Sequence, residues 1–145
     1  MPSSDLNIQD LLPHRHPFLF VDQIISLQPG RVVKGVFRVP GGHPYVKHTG
    51  NARVFPPILI VEALGQVAGI CIDHESPETS TRSRPLGYLA RIDQCIFEYP
   101  VYAEEDLLLA ASLNAHFGPL YKFDAKAKVG DKTVVQAALT LYAGS

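Results

Sequence analysis

Residues 56–73 read PPILIVEALGQVAGICID and contain the longest apolar run of the chain. It is too long for an ordinary strand, and it lacks the strict alternation of a half-buried strand. Two prolines open it, and proline is favoured at the first position of a helix. The stretch therefore predicts a helix over residues 58–72 that ends near Asp73. Because the helix is apolar on nearly every face, we expect it to be buried on nearly all sides.

The segments on both sides of this helix have strand patterns. Residues 21–27 and 31–39 are separated by a Pro-Gly turn and predict an antiparallel pair. Four further strands are predicted after the helix: 86–99, 104–117, 121–129 and 132–142. Residues 40–55 fit no period and are predicted to be a long loop, and residues 75–85 a surface connection. A sheet with one apolar face must cover that face. The sequence therefore predicts an α+β fold in which an antiparallel sheet wraps around the helix.

Composition limits the classes of protein. The chain has 145 residues, 46% of them hydrophobic and 19% charged, which suits one globular domain over residues 1–145. The net charge of −1 comes without a block of like charge, so no nucleic-acid partner is expected. The longest apolar run is too short to span a bilayer, the N-terminus does not resemble a signal peptide, and the two cysteines have no C-x-x-C spacing. We expect a cytoplasmic protein.

Glu62 is the one charged residue between positions 56 and 72. A carboxylate is costly to bury unless it is paired, hydrogen-bonded or protonated. Gln66 lies four residues on and projects from the same helix face. Two interpretations stay open: a structural acid satisfied by Gln66 and the backbone, or a site acid that its apolar surroundings keep protonated. Gly65 and Gly69 would leave room near this face for another chain or a ligand.

Two histidines, His43 and His48, lie in the predicted loop just before the helix. Histidine is the usual proton-transfer residue near neutral pH. A metal site is disfavoured because neither histidine has a partner at ligand spacing beside a carboxylate. A serine-type triad is disfavoured because no G-x-S-x-G turn exists.

Two motifs carry a resemblance to a known family. Residues 12–22, LPHRHPFLFVD, resemble the opening motif of the 3-hydroxyacyl-acyl-carrier-protein dehydratases, LPHRYPFLLVD. Residues 54–66, VFPPILIVEALGQ, are similar to that family's PVMPGVLIIEALAQ. The two matches come in the family's order and at a similar separation. The resemblance covers most of the chain, and its strong motifs lie between Leu12 and Gly69.

This resemblance implies a hot-dog fold, an antiparallel sheet wrapped around a long central helix and paired as a dimer. It implies a catalytic histidine fourteen residues before a catalytic glutamate, which gives His48 as the base and Glu62 as the acid. His43 does not align and is a weaker candidate. The residues that the resemblance places in substrate binding are Phe55, Pro57, Ile58 and Gln66.

The same resemblance implies the partners. The substrate is an acyl thioester on acyl carrier protein or coenzyme A, and neither a metal nor an organic cofactor is required. A homodimer or a higher even-numbered oligomer is expected, because in the family the histidine and the glutamate of one site come from different subunits.

The chain departs from the family pattern at three places. The G-H-F-P loop is here Lys47-His48-Thr49-Gly50, so only the histidine is kept. The P-G-D turn before a later strand is replaced by residues 103–105, Ala-Glu-Glu. Pro57 stands where the family has a glycine whose N–H holds the thioester carbonyl, and proline has no N–H.

Three functions remain in contention at the level of sequence. The leading one is dehydration of a 3-hydroxyacyl thioester to a trans-2-enoyl thioester in synthesis of the fatty-acid type. The second is a non-catalytic acyl-binding subunit, or the partner subunit of a dehydratase heterodimer, which the departures favour. The third is a hot-dog thioesterase in which Glu62 activates water, since a fold does not fix a function. The spacing of His48 and Glu62 favours dehydration.

Overall fold

The structure is a computed structural model that describes residues 6–73 and 88–143. The elements follow one another in the order α1 (Ile8–Leu11), β1 (Gln23–Gln28), β2 (Val32–Arg38), β3 (Lys47–Thr49), β4 (Ala52–Phe55), α2 (Pro57–Asp73), β5 (Tyr88–Phe97), β6 (Val101–Tyr102), β7 (Asp106–Phe117), β8 (Leu120–Val129) and β9 (Lys132–Tyr142). The predicted connection over residues 75–85 lies outside the described residues.

The central helix is confirmed within one residue at either end. From Ile60 to Ile72 its apolar side chains are buried, and Leu64, Val67 and Ile70 have no exposed surface. The first turn is different, because Ile58 is 57% exposed. The prediction that the helix is buried on nearly all sides is therefore wrong for the turn that begins at Pro57.

A six-stranded sheet wraps around this helix, with the described strands in the order β1-β2-β7-β8-β9-β5. Every neighbouring pair is antiparallel. Strand β8 shows how the sequence sets the two faces: Phe123 and Ala127 are buried against the helix side, while Asp124 and Lys126 are exposed. This alternation has the period of two that sequence analysis used, and it fixes the register because a slip by one residue would exchange the faces.

The sheet approaches the helix closely at Gly35 in β2. A Cβ atom built there would stand 3.2 Å from Cγ1 of Val67 and 3.1 Å from the carbonyl oxygen of Gln23. Gly65 and Gly69 on the helix face the sheet of the same chain, since added Cβ atoms would meet Leu89 and Leu141 at 3.9 Å. The expectation that these two glycines open toward another chain or a ligand is not what the structure shows.

A second, three-stranded sheet has the order β3-β4-β6. The prediction of an irregular loop over residues 40–55 is wrong for residues 47–55, which form a hairpin that turns at Gly50 with φ 61°. The two strands have only three and four residues, too few for an alternation to be recognised. The hairpin runs directly through Pro56 into α2, so only the turn and β4 separate β3 from the central helix along the sequence.

The arrangement as a whole is the predicted α+β fold of the hot-dog type, in which one long helix lies in the curve of an antiparallel sheet. Among residues 6–73 and 88–143, no helix has the length and apolar character needed to cross a membrane.

Candidate active site

Glu62 lies in the second turn of α2, and its side chain is 25% exposed. Its Oε2 atom accepts a hydrogen bond of 3.2 Å from Nε2 of Gln66, as the spacing of four residues predicts. Among the described residues, no hydrogen bond reaches the other carboxylate oxygen, Oε1. Glu62 is therefore a partly exposed acid with one oxygen held and one oxygen open, and it is not sealed inside the core.

Gln66 uses its whole carboxamide to fix the surroundings of Glu62. Its side chain is buried, with 2% of the residue exposed. Nε2 also donates to the carbonyl oxygen of Phe18 at 3.0 Å, and Oε1 accepts from the N–H of Phe20 at 2.9 Å. A buried amide with every partner satisfied stabilises one arrangement of its neighbours. Gln66 thus ties the segment before β1 to the central helix.

That segment also brings His14 to Glu62. His14 Nε2 lies 3.7 Å from Oε2 of Glu62, and the His14 side chain is 26% exposed. Burial lowers the pKa of His14 below its ordinary value; Glu62 opposes this effect and Arg15 adds to it. The lowered pKa favours the neutral form of His14. The place of His14 in the site was not predicted, although the motif at residues 12–22 contains it, because no local pattern joins residues 48 positions apart.

His48 lies in β3, where it pairs across the hairpin with Arg53 and is exposed. Within the described part of the chain, no hydrogen bond or ion pair joins His48 to Glu62. The pairing of His48 with Glu62 therefore stays a prediction.

His43, the weaker candidate, is buried in an aromatic cluster. Its ring centroid lies 5.5 to 6.4 Å from those of four rings: Phe20, Phe37, Tyr45 and Phe55. Its Nδ1 accepts a hydrogen bond of 3.2 Å from the N–H of Tyr45. Phe55 belongs to this cluster and has no exposed surface in the single chain. Its part in substrate binding stays a prediction.

The pKa of His43 gives a testable pH dependence. Burial lowers that pKa below 6.5, the charge of His16 lowers it further, and a backbone contact with Pro17 opposes the change. As the pH falls below 6.5, the unfolded chain therefore gains a proton that the folded chain resists. Stability should fall with falling pH in this window. We expect the Tm to decrease between about pH 7.5 and pH 5.

The matched variant is His43→Asn, whose side-chain oxygen can still accept from the Tyr45 N–H but does not titrate. The comparison is the change in Tm between the two pH values within each protein, which does not depend on the absolute Tm of the variant. This change should be smaller in the variant. An equal change in both proteins would mean that His43 does not contribute to the acid sensitivity.

Pro57 and Ile58 form the start of α2. Pro57 is exposed, and the N–H of Leu59 donates to the carbonyl oxygen of Pro56 at 3.0 Å. Among the described residues, the N–H of Ile58 makes no hydrogen bond. Since proline has no N–H, Ile58 carries the first backbone donor of the helix, at the end where the helix dipole is positive.

Comparison with protein families places most of this chain in one of them. The model of the FabA-like domain matches residues 12–138. A 3-hydroxyacyl-[acyl-carrier-protein] dehydratase FabZ of Caldanaerobacter subterraneus is 37% identical over 134 residues, which are 92% of each chain. The enzyme of the same name from a Sulfurovum species is 32% identical over 138 residues, again 92% of each chain.

Solved structures agree with the fold. A chain of the dehydratase heterocomplex ApeI:P from Xenorhabdus doucetiae superimposes with a TM-score of 0.82 at 16% identity, covering 97% of this chain and 92% of that one. A hypothetical thioesterase from Streptococcus pneumoniae, solved with coenzyme A, gives a TM-score of 0.66 at 10% identity and covers 85% of each chain. At such identities the likeness concerns the fold alone.

Proposed function

The chain belongs to the family of FabA-like 3-hydroxyacyl-acyl-carrier-protein dehydratases, and on that premise we propose that His48 and Glu62 are its catalytic pair. The enzyme is a hydro-lyase that removes water from 3-hydroxyacyl groups carried on acyl carrier protein in fatty-acid synthesis. The observation that carries the assignment of Glu62 is its carboxylate on the central helix, with Oε2 held by Gln66 and Oε1 open.

The reaction sets the roles. The hydrogen on C2 beside a thioester is weakly acidic, and hydroxide is a poor leaving group, so elimination needs a base at C2 and an acid at C3. His48 takes the proton from C2, and the electron pair forms the C2–C3 double bond as the C3–O bond breaks. Glu62 gives its proton to the departing oxygen, which leaves as water. The enoyl thioester is released, and the proton on His48 returns to Glu62 through solvent before the next turnover.

A second copy of the chain is the simplest way to bring His48 to Glu62. Strand β5 pairs with β9, and no described strand pairs with its other edge. Large side chains along it are exposed: Tyr88, Ile92, Ile96 and Phe97 are between 40% and 59% exposed. A long apolar edge strand is a template for pairing with another chain. We infer that β5 of two copies pair antiparallel and continue the sheet across a homodimer.

Sedimentation velocity checks the dimer. The chain is expected to sediment as a dimer, or a higher even-numbered oligomer, at micromolar concentration. A lysine in place of Ile92, whose side chain is 40% exposed on this edge, should shift the distribution toward the monomer and lower activity with it. A monomeric parent protein that retains full activity would contradict the shared site.

Turnover of the parent protein tests the function itself. Hydration of trans-2-enoyl thioesters, the reverse reaction, can be followed for short and long acyl chains on acyl carrier protein and on coenzyme A. We expect turnover on acyl carrier protein. The absence of turnover at every chain length would favour the second candidate, an acyl-binding subunit that pairs with an active relative, which the missing N–H at Pro57 supports.

A further inference from the structure

We propose that His14 is a positioning residue of this dehydratase, which holds Oε2 of Glu62 so that Oε1 is the oxygen presented to the substrate. The inference rests on the proposed role of Glu62 as the acid. Two side chains approach the same carboxylate oxygen: Gln66 Nε2 at 3.2 Å and His14 Nε2 at 3.7 Å. No described residue makes a hydrogen bond to Oε1. Both contacts are thus made at Oε2, and Oε1 is left open.

The segment that carries His14 is itself fixed in place. Arg15 donates to the carbonyl oxygens of Leu12 at 2.8 Å, His14 at 2.7 Å and Gln9 at 3.2 Å, which ties the backbone to the end of α1. The N–H of Phe18 donates to the carbonyl oxygen of Arg15 at 2.8 Å. Further along, Gln66 binds the backbone at Phe18 and Phe20. His14 therefore approaches Glu62 from a segment that is anchored before and after it.

The two nitrogens of His14 are in different situations. Nδ1 is buried and has no hydrogen-bond partner among the described residues, whereas Nε2 faces the carboxylate. A neutral imidazole carries one proton, and placing it on Nε2 directs the N–H toward Oε2 of Glu62. With the proton on Nδ1 instead, the lone pair of Nε2 would face the lone pairs of the carboxylate oxygen, and the two would repel each other. Nε2 is therefore the atom through which His14 acts on Glu62.

This placement serves the proton transfer. As Glu62 gives up its proton, negative charge develops on the carboxylate; the Nε2–Oε2 distance of 3.7 Å, longer than a hydrogen bond, then shortens so that the His14 N–H stabilises that charge. The same contact limits rotation of the carboxyl group, which keeps Oε1 toward C3 of the substrate. A misplacement of a reacting group by about 1 Å can cost about 10²-fold in rate.

Two substitutions distinguish the nitrogens. In His14→Gln the amide nitrogen stands near the position of Nε2, and in His14→Asn it stands near the position of Nδ1. We expect His14→Ala and His14→Asn to lower kcat by about tenfold to 10²-fold while KM changes little. His14→Gln should recover most of the lost kcat. His116→Gln is the matched control, since His116 lies in β7 stacked on Tyr121, and it should keep the kcat of the parent.

A double-substitution cycle tests whether His14 acts through Glu62. Adding His14→Ala to Glu62→Gln should lower the residual rate no further, since the contact no longer serves a proton transfer. The Tm of every variant is measured alongside the rates. Equal losses in His14→Gln and His14→Asn, a change in KM alone, or additive losses in the double variant would each overturn the inference. If Glu62→Gln itself turned over like the parent, the proposed acid would be wrong, which is a separate result.

Discussion

Replacing His48 with alanine is expected to lower kcat for dehydration by about 10²–10⁴-fold, the usual contribution of a general base. His48 is exposed on the short strand β3 of one chain, and no described hydrogen bond of its side chain is lost. Exposed substitutions away from special features usually change stability by no more than about 0.5 kcal/mol. The Tm should therefore stay near that of the parent while activity is lost. An active His48→Ala protein would move the base elsewhere.

Glu62→Gln should cause a loss of similar size for a different reason. The amide keeps the shape of the carboxyl group and can still accept the hydrogen bond from Gln66, but it has no acidic proton to give to the leaving hydroxyl. The measurement is the rate of enoyl-thioester hydration and of its reverse. His116→Ala is the control, because it removes a histidine from β7 and leaves both proposed catalytic groups in place. Parent-like rates in Glu62→Gln would contradict the role of the acid.

Mixing the two inactive proteins tests whether the site is shared. If His48 of one subunit works with Glu62 of the other, a heterodimer of His48→Ala and Glu62→Gln contains one intact pair and one doubly defective pair. Random exchange of equal amounts should then restore about a quarter of the parent activity, given a symmetric dimer. No recovery after confirmed subunit exchange would place both groups of a site in the same chain, contrary to the shared-site proposal.

The sequence was sufficient for the parts of the fold that have a long, uniform pattern. The central helix was predicted within one residue because fifteen apolar-rich positions follow two prolines that mark its start. Strand β8 was predicted because apolar and charged residues alternate from Phe123 to Val129, and the structure buries Phe123, Ala125 and Ala127. The hairpin of β3 and β4 was missed because strands of three and four residues contain no readable period, and their pairing depends on the turn at Gly50.

In the candidate site, only the contact between two residues of the same helix could be predicted from the sequence. The contact of Glu62 with Gln66 follows from helical spacing, and the structure has it. The contact of Glu62 with His14 joins residues 48 positions apart, and the folding of the segment before β1 onto α2 creates it. No local pattern encodes such a contact, because it depends on how Gln66 binds the backbone at Phe18 and Phe20.

Pro57→Gly is expected to raise the rate of dehydration. Glycine at this position would supply a backbone N–H at the start of α2, where the resemblance places the donor that holds the thioester carbonyl. One missing donor of this kind costs about 10²–10³-fold in rate. The helix begins at Pro57, so the new N–H would lie in the first turn, where N–H groups have no acceptor within the helix. We expect an increase of about tenfold or more, since Ile58 already offers one donor nearby.

The same substitution should lower the free energy of unfolding, so a higher rate could not be attributed to a more stable protein. Proline fixes φ near the helical value and lowers the entropy of the unfolded chain, and glycine does neither. The loss is expected at about 0.4–1 kcal/mol in the free energy of unfolding. Pro57→Ala is the matched control, because it also supplies an N–H but restricts the backbone more than glycine does. Its rate should rise as well, with a smaller loss of stability.

The dehydration rate and the free energy of unfolding together show whether Pro57 limits the reaction. A higher rate with lower stability in Pro57→Gly would mean that the parent dehydratase is limited by its oxyanion donor. An unchanged or lower rate in both variants, with the fold intact, would contradict that limit. In that case either the N–H of Ile58, which makes no hydrogen bond among the described residues, already holds the thioester oxygen, or the substrate carbonyl binds elsewhere. Replacing Ile58 by proline distinguishes these two outcomes, because it removes that N–H and should abolish activity only if Ile58 is the donor.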